Sequence, residues 1–535
     1  MKNKEEKSLK RQSAGLLFAK VVGFAFAFMI PLLVVRFLNQ EQVGVYRQAF
    51  QVVTNAMSFL SLGVAMSAFY YLSREPEKRA AAVFNILLFH ITTGGLAFFA
   101  LLFFPQILGK IFQSAEMTSL APLVGIAIWL GMTSVFLETI AVANQETLLS
   151  TVFIICAQMS KTVLIVAAVT YFGSVEAIIY AAIIQGAIQT IVLLAYLNSR
   201  FPRFWKTFSF SFLREHLAYA LPFGFAGVLW VMQNDLHTYF VGWRFSDAEY
   251  AVYAYGCFQV PLIAMLSESV IAVLMPRMSQ LQLTDDRREM IRVTGRAMQK
   301  LSLFYFPIFV FLMIVSETLV VTLFTRNYLQ SVPVFRINLL LLPILIFLSD
   351  PIVRSYKELG RFLLALRICM FIALFATLYF SINNLSMTGV IAIAVASKFV
   401  ESVIAEIVVF YKIGVKKSDL HFLKTIGKTA IASILTGAIV FAVYYFSANA
   451  LGEFGENLAR TIFGSMKTGV INFISGVLTL GITFMVFAPI FLLFANLLGV
   501  IEEEEKTILR NAVRKVGSFL KRKNEPQNVI ADSKL

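Results

Sequence analysis

The sequence predicts an all-α polytopic membrane protein with about fourteen transmembrane helices, arranged as two pseudo-symmetric six-helix bundles plus a C-terminal helix pair. Three observations predict this fold class. Of the 535 residues, 58% are hydrophobic and only 14% are charged, whereas roughly a quarter of a soluble domain is charged. The apolar residues form long stretches that polar loops separate. A polar corner with the pattern of a helix cap occurs twice, once in each half of the chain.

Fourteen apolar stretches are long enough to cross a membrane, for which a helix needs about 20 residues. Their approximate bounds are 14–38, 43–72, 80–104, 119–142, 149–172, 175–197, 217–243, 248–276, 301–324, 332–353, 362–382, 388–411, 427–447 and 468–499. With these spans, 34 of the 46 lysines and arginines fall on one side, 8 on the other and 4 within spans. Because basic residues collect on the cytoplasmic side, both termini are predicted to be cytoplasmic. The net charge of +15 therefore reflects topology and indicates no nucleic-acid partner.

The two polar corners predict an internal duplication. Ser246 and Glu249 have the spacing of a capping box, in which a hydroxyl and a carboxylate satisfy the free amides at a helix start. The pattern recurs at a spacing of 207 residues: Asn39, Gln42 and Tyr46 correspond to Ser246, Glu249 and Tyr253. Both corners lie between long apolar stretches, which favours a repeated membrane unit over chance.

The repeat predicts how the chain is divided. The predicted parts are a cytoplasmic N-terminal segment at 1–13, an N-terminal bundle of helices 1–6 at 14–200, a cytoplasmic linker or interfacial helix at 201–216, a C-terminal bundle of helices 7–12 at 217–415, helices 13–14 at 416–500 and a cytoplasmic tail at 501–535.

Catalytic motifs are missing from the sequence. It contains no GxxxxGK[ST] loop for nucleotide phosphates, and its four histidines have no metal-ligand spacing. We therefore predict no catalytic residue, no metal site, no cofactor and no enzymatic activity. The enzymatic alternative, a membrane polysaccharide polymerase, would need a catalytic residue on an outer loop, where the chain offers little beyond Glu453, Glu456 and Arg460.

Cationic residues within or near the spans are the first candidates for a binding site, because charged groups in a membrane usually face a cavity or a partner. The candidates are Lys20, Arg47, Lys161 and Lys398. Together they could attract a pyrophosphate or an acidic sugar. The structural alternative is snorkelling or pairing with carboxylates. For Lys398 that partner would be Glu401, three residues later on the same helix.

Acidic and histidine candidates lie on the seventh and eighth spans. Asp235 and His237 belong to the most polar cluster within any span, and Glu268 lies in the middle of the next one. These groups could bind a cation or proton, or contact sugar hydroxyls. Alternatively, Asp235 could be a structural partner of Lys20 on the pseudo-equivalent first helix.

The order of spans and the two corners resemble the polysaccharide-transporter (Wzx-type) branch of the multidrug/oligosaccharidyl-lipid/polysaccharide (MOP) exporter superfamily. The residues that carry the resemblance are Ala220-Leu221-Pro222, Asp235, Gly242, Ser246–Tyr253, and Asn39–Tyr46 with its Gly44 and Tyr46. It covers the first twelve helices well and the last pair by position only. Lys20-Val21-Val22-Gly23-Phe24 is also similar to the first-helix segment of lipid II flippases, but Phe26 and Gln51 stand where further arginines are expected.

The resemblance implies a flippase that moves undecaprenyl-pyrophosphate-linked oligosaccharide across the bacterial inner membrane by alternating access, for O-antigen, capsule or exopolysaccharide synthesis. Lys20, Arg47 and Lys161 would hold the anionic headgroup. Asp235, His237 and Glu268 would contact sugar or carry a coupling ion, H⁺ or Na⁺. Partners would be the lipid-linked glycan, the bilayer, and the polysaccharide polymerase with its assembly proteins. Alternatives are a cation-coupled exporter of small amphiphiles and a lipid II flippase.

Overall fold

The computed structural model describes residues 2–259, 261–464, 468–503, 506 and 507, and every regular element in them is a helix. The α-helices are α1 (Lys2–Phe37), α2 (Gln40–Ser61), α3 (Ala68–Arg74), α4 (Arg79–Phe103), α5 (Gln106–Phe112), α6 (Ala115–Ala143), α7 (Thr147–Phe172), α8 (Val175–Arg200), α9 (Phe210–Arg244), α10 (Asp247–Gly256), α11 (Pro261–Leu283), α12 (Arg287–Phe324), α13 (Ser331–Leu339), α14 (Leu341–Ile344), α15 (Ser349–Val353), α16 (Lys357–Ser381), α17 (Met387–Ile413), α18 (His421–Phe463) and α19 (Thr468–Leu497). The predicted all-α class is confirmed. Most of the predicted tail, 501–535, lies outside the described residues.

The predicted number of fourteen spans is not confirmed. In the described part of the chain, nine helices are long and apolar enough to cross a membrane, or ten if one bent pair counts as a single span. That pair bends by 47° between Gln40–Ser61 and Val64–Arg74, where Leu62 and Gly63 have left-handed φ angles of 42° and 66°. Two further predicted spans, 248–276 and 332–353, are broken into shorter helices. Hydrophobicity alone therefore did not reveal the breaks.

Both predicted capping boxes are present. At the first corner the Asn39 side chain accepts from the Gln42 amide at 2.8 Å, and the Gln42 side chain accepts from the Asn39 amide at 3.1 Å. At the second corner Glu249 donates its amide to Ser246 Oγ at 3.3 Å, while its carboxylate accepts from the Ser246 amide at 3.0 Å. The caps start α2 and α10, as the sequence predicts.

The described residues divide into two compact units. Those of the first unit fall within Met1–Ser279, Ser316–Ile344 and Ser349–Val409, and those of the second within Gln280–Val315, Leu345–Leu348 and Phe410–Leu535. In the second unit, α18 and α19 pack with the first part of α12, burying Phe487 and Phe491 against side chains such as Phe311. The domain boundaries given by the repeat stay a prediction.

In the first unit the two corners pack directly against each other. Gly44 on α2 approaches the start of α10 so closely that an added Cβ would lie 1.8 Å from the Asp247 carbonyl oxygen. The Asp247 carboxylate accepts from Gln48 at 2.9 Å and from Ser114 at 3.2 Å. Tyr253 lies on α10, four residues after the capping residue Glu249, and is fully buried in a hydrophobic cluster. The corner residues thus hold the repeated helices together.

Candidate functional site

A cavity of about 340 Å³ lies within the first unit. Its wall is formed by α2, by α9 and α10, and by α13, α14, α16 and α17. Apolar side chains, Leu341 and Leu374 among them, form one part of the wall, and amide, hydroxyl and charged side chains form the rest. A polar cavity among apolar helices is expensive unless it holds water, an ion or a polar ligand.

Four of the seven residues that the sequence singles out line this cavity. They are Arg47, Asp235, His237 and Lys398. The remaining three do not line it. Lys20 on α1 and Glu268 on α11 are exposed, and Lys161 on α7 is half-buried. The described residues contain no ion pair between Asp235 and Lys20, so the pairing considered for these two is not seen.

Arg47 is the cation that α2 contributes to the wall. It is half-buried, and its guanidinium lies over the Tyr255 ring with its carbon 5.5 Å from the ring centre. A cation held against an aromatic face gains on the order of 1 kcal/mol. Within the described part of the chain Arg47 forms no ion pair. The candidate carboxylate Asp235 lines the same cavity but is not in ion-pair contact with Arg47.

Hydrogen bonds between helices hold the polar wall near Arg47. Gln51 on α2 donates to Thr238 on α9 and accepts from the Tyr250 hydroxyl on α10. The Tyr253 hydroxyl and His237 Nδ1 are 2.7 Å apart. A lipid II flippase is expected to have an arginine at position 51. Here Gln51 lines the cavity, makes hydrogen bonds to two neighbouring side chains and contributes no charge.

Glu401 connects three of the helices that line the cavity, α9, α16 and α17. It is 4% exposed, and its Oε2 accepts from Gln233 Nε2 on α9 at 2.5 Å and lies 3.6 Å from Lys398 Nζ. Its Oε1 lies 3.4 Å from Arg367 Nε on α16, and Arg367 also reaches Asp350 at 3.6 Å. The i,i+3 pair of Lys398 and Glu401 is therefore present, as predicted. Several partners compensate the burial of this carboxylate.

Gln233 and Asn234 belong to the polar cluster around Asp235 to which the sequence points, although neither is among the predicted site residues. The other amides and hydroxyls of the wall were not predicted as part of a site. Gln259, Asn338 and Ser397 also line the cavity; Gln259 and Asn338 are isolated polar residues in or beside apolar stretches, and Ser397 directly precedes Lys398. Only packing shows that they share one wall. The described residues contain no group of three metal-ligating side chains.

Comparison with known proteins supports the predicted resemblance. Residues 72–333, just under half of the chain, match the family model described as polysaccharide biosynthesis protein. No curated protein sequence gives a match.

Among solved structures, the chain is similar to the lipid II flippase MurJ in an inward closed conformation, with a TM-score of 0.61, 15% identity, and coverage of 89% of this chain and 98% of that one. It is also similar to an inward-facing multidrug resistance MATE family transporter of the MOP superfamily. The TM-score is 0.58 and the sequence identity 13%, and the match covers 73% of this chain and 94% of that one. A MOP superfamily transporter from Pyrococcus furiosus matches with a TM-score of 0.54 and 14% sequence identity, and this match covers 76% of this chain and 96% of that one. At these identities the likeness shows the fold. The fold agrees with the one that the predicted resemblance implies, and these neighbours are described as transporters and a flippase.

Proposed function

We propose that this multi-pass membrane protein flips undecaprenyl-pyrophosphate-linked oligosaccharide. The proposal is supported by its MOP exporter fold and by a segment that matches polysaccharide biosynthesis proteins. The substrate would cross the bacterial inner membrane for synthesis of O-antigen, capsule or exopolysaccharide. Both termini would be cytoplasmic, and access to the cavity would alternate between the two sides of the membrane. The polysaccharide polymerase and its assembly proteins would take the product.

The observation that carries this proposal is the composition of the cavity. One part of the wall offers the Arg47 cation, which has no carboxylate partner among the described residues and suits an anionic headgroup. Amides and hydroxyls elsewhere on the wall, such as Gln259 and Asn338, suit the hydroxyl groups of a glycan. The lipid chain would remain in the bilayer, since about 0.8 kcal/mol is gained for each CH₂ group kept out of water.

Lys20, Lys161 and Glu268 do not line the cavity in the conformation described here. In the alternating-access proposal they would act in another conformation, in which Lys20 and Lys161 contact the headgroup and Glu268 contacts sugar or carries H⁺ or Na⁺. Their contribution is therefore separable by experiment from that of Arg47, Asp235, His237 and Lys398.

The proposal is tested with purified protein in vesicles that contain a fluorescent undecaprenyl-pyrophosphate oligosaccharide, whose movement is followed with an impermeant quencher. Arg47→Gln removes one of the two cations that line the cavity, and Arg244→Gln, at an exposed arginine at the end of α9, is the matched control. Loss of one charge-assisted contact of about 1.5–3 kcal/mol predicts a rate roughly 10- to 100-fold lower for Arg47→Gln. Wild-type protein that moves none of several lipid-linked glycans would exclude the proposed function.

The second candidate is a cation-coupled exporter of small amphiphiles, and the observation that favours it is Asp235, a carboxylate on the cavity wall. This function predicts proton- or sodium-driven dye export that Asp235→Asn abolishes, with no dependence on lipid-linked sugar. A lipid II flippase is a weaker alternative, because position 51 contributes a neutral amide to the cavity.

A further inference from the structure

Two buried polar atoms of the cavity wall lack a partner in the described part of the chain. They are Gln233 Oε1 and Ser397 Oγ. Gln233 is only 5% exposed. A buried polar group left without a hydrogen bond costs about 1–3 kcal/mol. Both residues line the cavity, and although each of the two oxygens has less than 1 Å² of accessible surface, a side-chain movement that uncovers them would let a bound ligand supply the missing bonds.

The orientation of the Gln233 amide follows from its neighbour. A carboxylate accepts hydrogen bonds and has none to donate, and Glu401 is contacted by the cations of Lys398 and Arg367 as well as by Gln233. Gln233 must therefore turn its NH₂ group towards Glu401, at 2.5 Å. The Gln233 carbonyl oxygen, Oε1, then points away from Glu401. It is a hydrogen-bond acceptor without a donor among the described residues.

The two oxygens of Glu401 have different partners. Oε2 contacts Gln233 and Lys398, which both line the cavity, whereas Oε1 contacts Arg367, which does not. One buried carboxylate thus fixes both an acceptor and a cationic donor on the wall. The Arg367 contact keeps the carboxylate compensated if Lys398 moves towards a ligand.

We infer that Gln233 Oε1, oriented by Glu401, accepts a hydrogen bond from a hydroxyl or acetamido N–H of the glycan, and that Ser397 Oγ bonds to the same part of the ligand. The inference rests on the proposed function and deepens it. The site takes an uncharged sugar group that carries hydrogen-bond donors, separate from the anionic headgroup. Glu401 is a positioning residue, which sets the direction of the Gln233 amide without touching the ligand.

The test compares binding of two lipids to the purified full-length protein: undecaprenyl pyrophosphate linked to a disaccharide, and undecaprenyl pyrophosphate without sugar. The readout is the ratio of the two affinities. Gln233→Met removes the acceptor at similar volume, and Glu401→Gln lets the Gln233 amide turn, because a glutamine can donate as well as accept. Gln233→Met should lower the preference for the glycosylated lipid about tenfold, the equivalent of one hydrogen bond, and leave the affinity for the sugar-free lipid unchanged. Glu401→Gln should lower the same preference, but because it also releases Lys398 only the ratio is compared for this variant.

Gln185→Met is the matched control. Gln185 is also buried, donates its Nε2 to the Ala157 carbonyl at 3.1 Å and has a partnerless Oε1 among the described residues, but it does not line the cavity. Its substitution should leave the ratio unchanged. If Gln233→Met fails to fold, Ser397→Ala takes its place, with the same expected direction.

The possible results separate the inference from the proposed function. An unchanged ratio in Gln233→Met and Glu401→Gln would mean that water satisfies these atoms, and it would overturn the inference while the flippase stands. Equal affinity of the wild-type protein for the two lipids would also overturn the inference and leave the proposed flippase function standing. A wild type that binds neither would overturn both.

Discussion

The close contact between the two corners makes Gly44→Ala a sharp test of how the repeated helices are joined. An alanine Cβ would lie 1.8 Å from the Asp247 carbonyl oxygen, 2.5 Å from its carbonyl carbon and 3.1 Å from its Cα. All three atoms belong to the backbone, so no flexible side chain can move aside. Ordinary van der Waals contact begins at 3.4 Å, and α2 and α10 must therefore separate locally by more than 1 Å.

The expected loss of stability combines two effects. Overpacking of a close contact costs about 1–3 kcal/mol, and separation would also stretch the bond from Gln48 to the Asp247 carboxylate, a charge-assisted bond of about 1.5–3 kcal/mol. Alanine recovers up to about 1 kcal/mol over glycine within a helix. We expect a net loss of about 2–4 kcal/mol.

Gly481→Ala is the matched control, because Gly481 lies inside α19 and an added Cβ there meets nothing within 4 Å. The helix preference alone predicts that this variant is as stable as the wild type or more stable, by up to about 1 kcal/mol. Thermal and denaturant unfolding of the purified proteins in the same detergent measures both. Equal stability of Gly44→Ala and Gly481→Ala would refute the close contact between the corners.

Three other predictions concern the buried carboxylate, the C-terminal end of α1 and the topology. Glu401→Ala leaves Lys398 and Arg367 without their shared partner and should cost about 3–5 kcal/mol in unfolding experiments, whereas a loss below 1 kcal/mol would show that Glu401 does not hold these helices together. Arg36 donates to the Thr322 and Leu323 carbonyls at 2.8 and 2.9 Å, near the C-terminus of α12; Arg36→Gln should cost about 1–3 kcal/mol, and an unchanged melting temperature would contradict this. Epitope tags at both termini should resist protease in spheroplasts, whose outer membrane has been opened, and become accessible once the inner membrane is permeabilised; a tag cleaved in intact spheroplasts would reverse the predicted orientation.

The fold class could be predicted from the sequence because it depends on composition and on local patterns. In lipid every backbone polar group must be satisfied internally, so apolar stretches of this length become helices whatever their neighbours are. The capping boxes at Asn39 and Ser246, and the pair of Lys398 and Glu401, involve residues three positions apart. Their geometry is set by one turn of helix, and the structure shows all three.

The breaks in the helices could not be predicted in the same way. The bend at Leu62–Gly63 accompanies a close approach of α9, where an added Cβ on Gly224 would lie 1.9 Å from the Leu62 carbonyl oxygen. That contact joins residues 162 positions apart. Hydropathy averages over such a break, which is why the predicted spans 43–72, 248–276 and 332–353 did not reveal theirs. Two other predicted spans, 217–243 and 388–411, lie in the continuous helices α9 and α17 and are not among the nine or ten that qualify in the described residues.

What the sequence determined by itself is an all-α membrane protein built on a repeated helix pair, with a short set of ionisable residues in the spans. What only the tertiary structure decided is which of those residues share a cavity: Arg47, Asp235 and Lys398 do, while Lys20 is exposed. The physical reason is that these helices are apolar on most faces, so periodicity does not reveal which face turns inward. The role of Gln233 likewise emerged only because folding brings Glu401, 168 residues away in the chain, within hydrogen-bond distance.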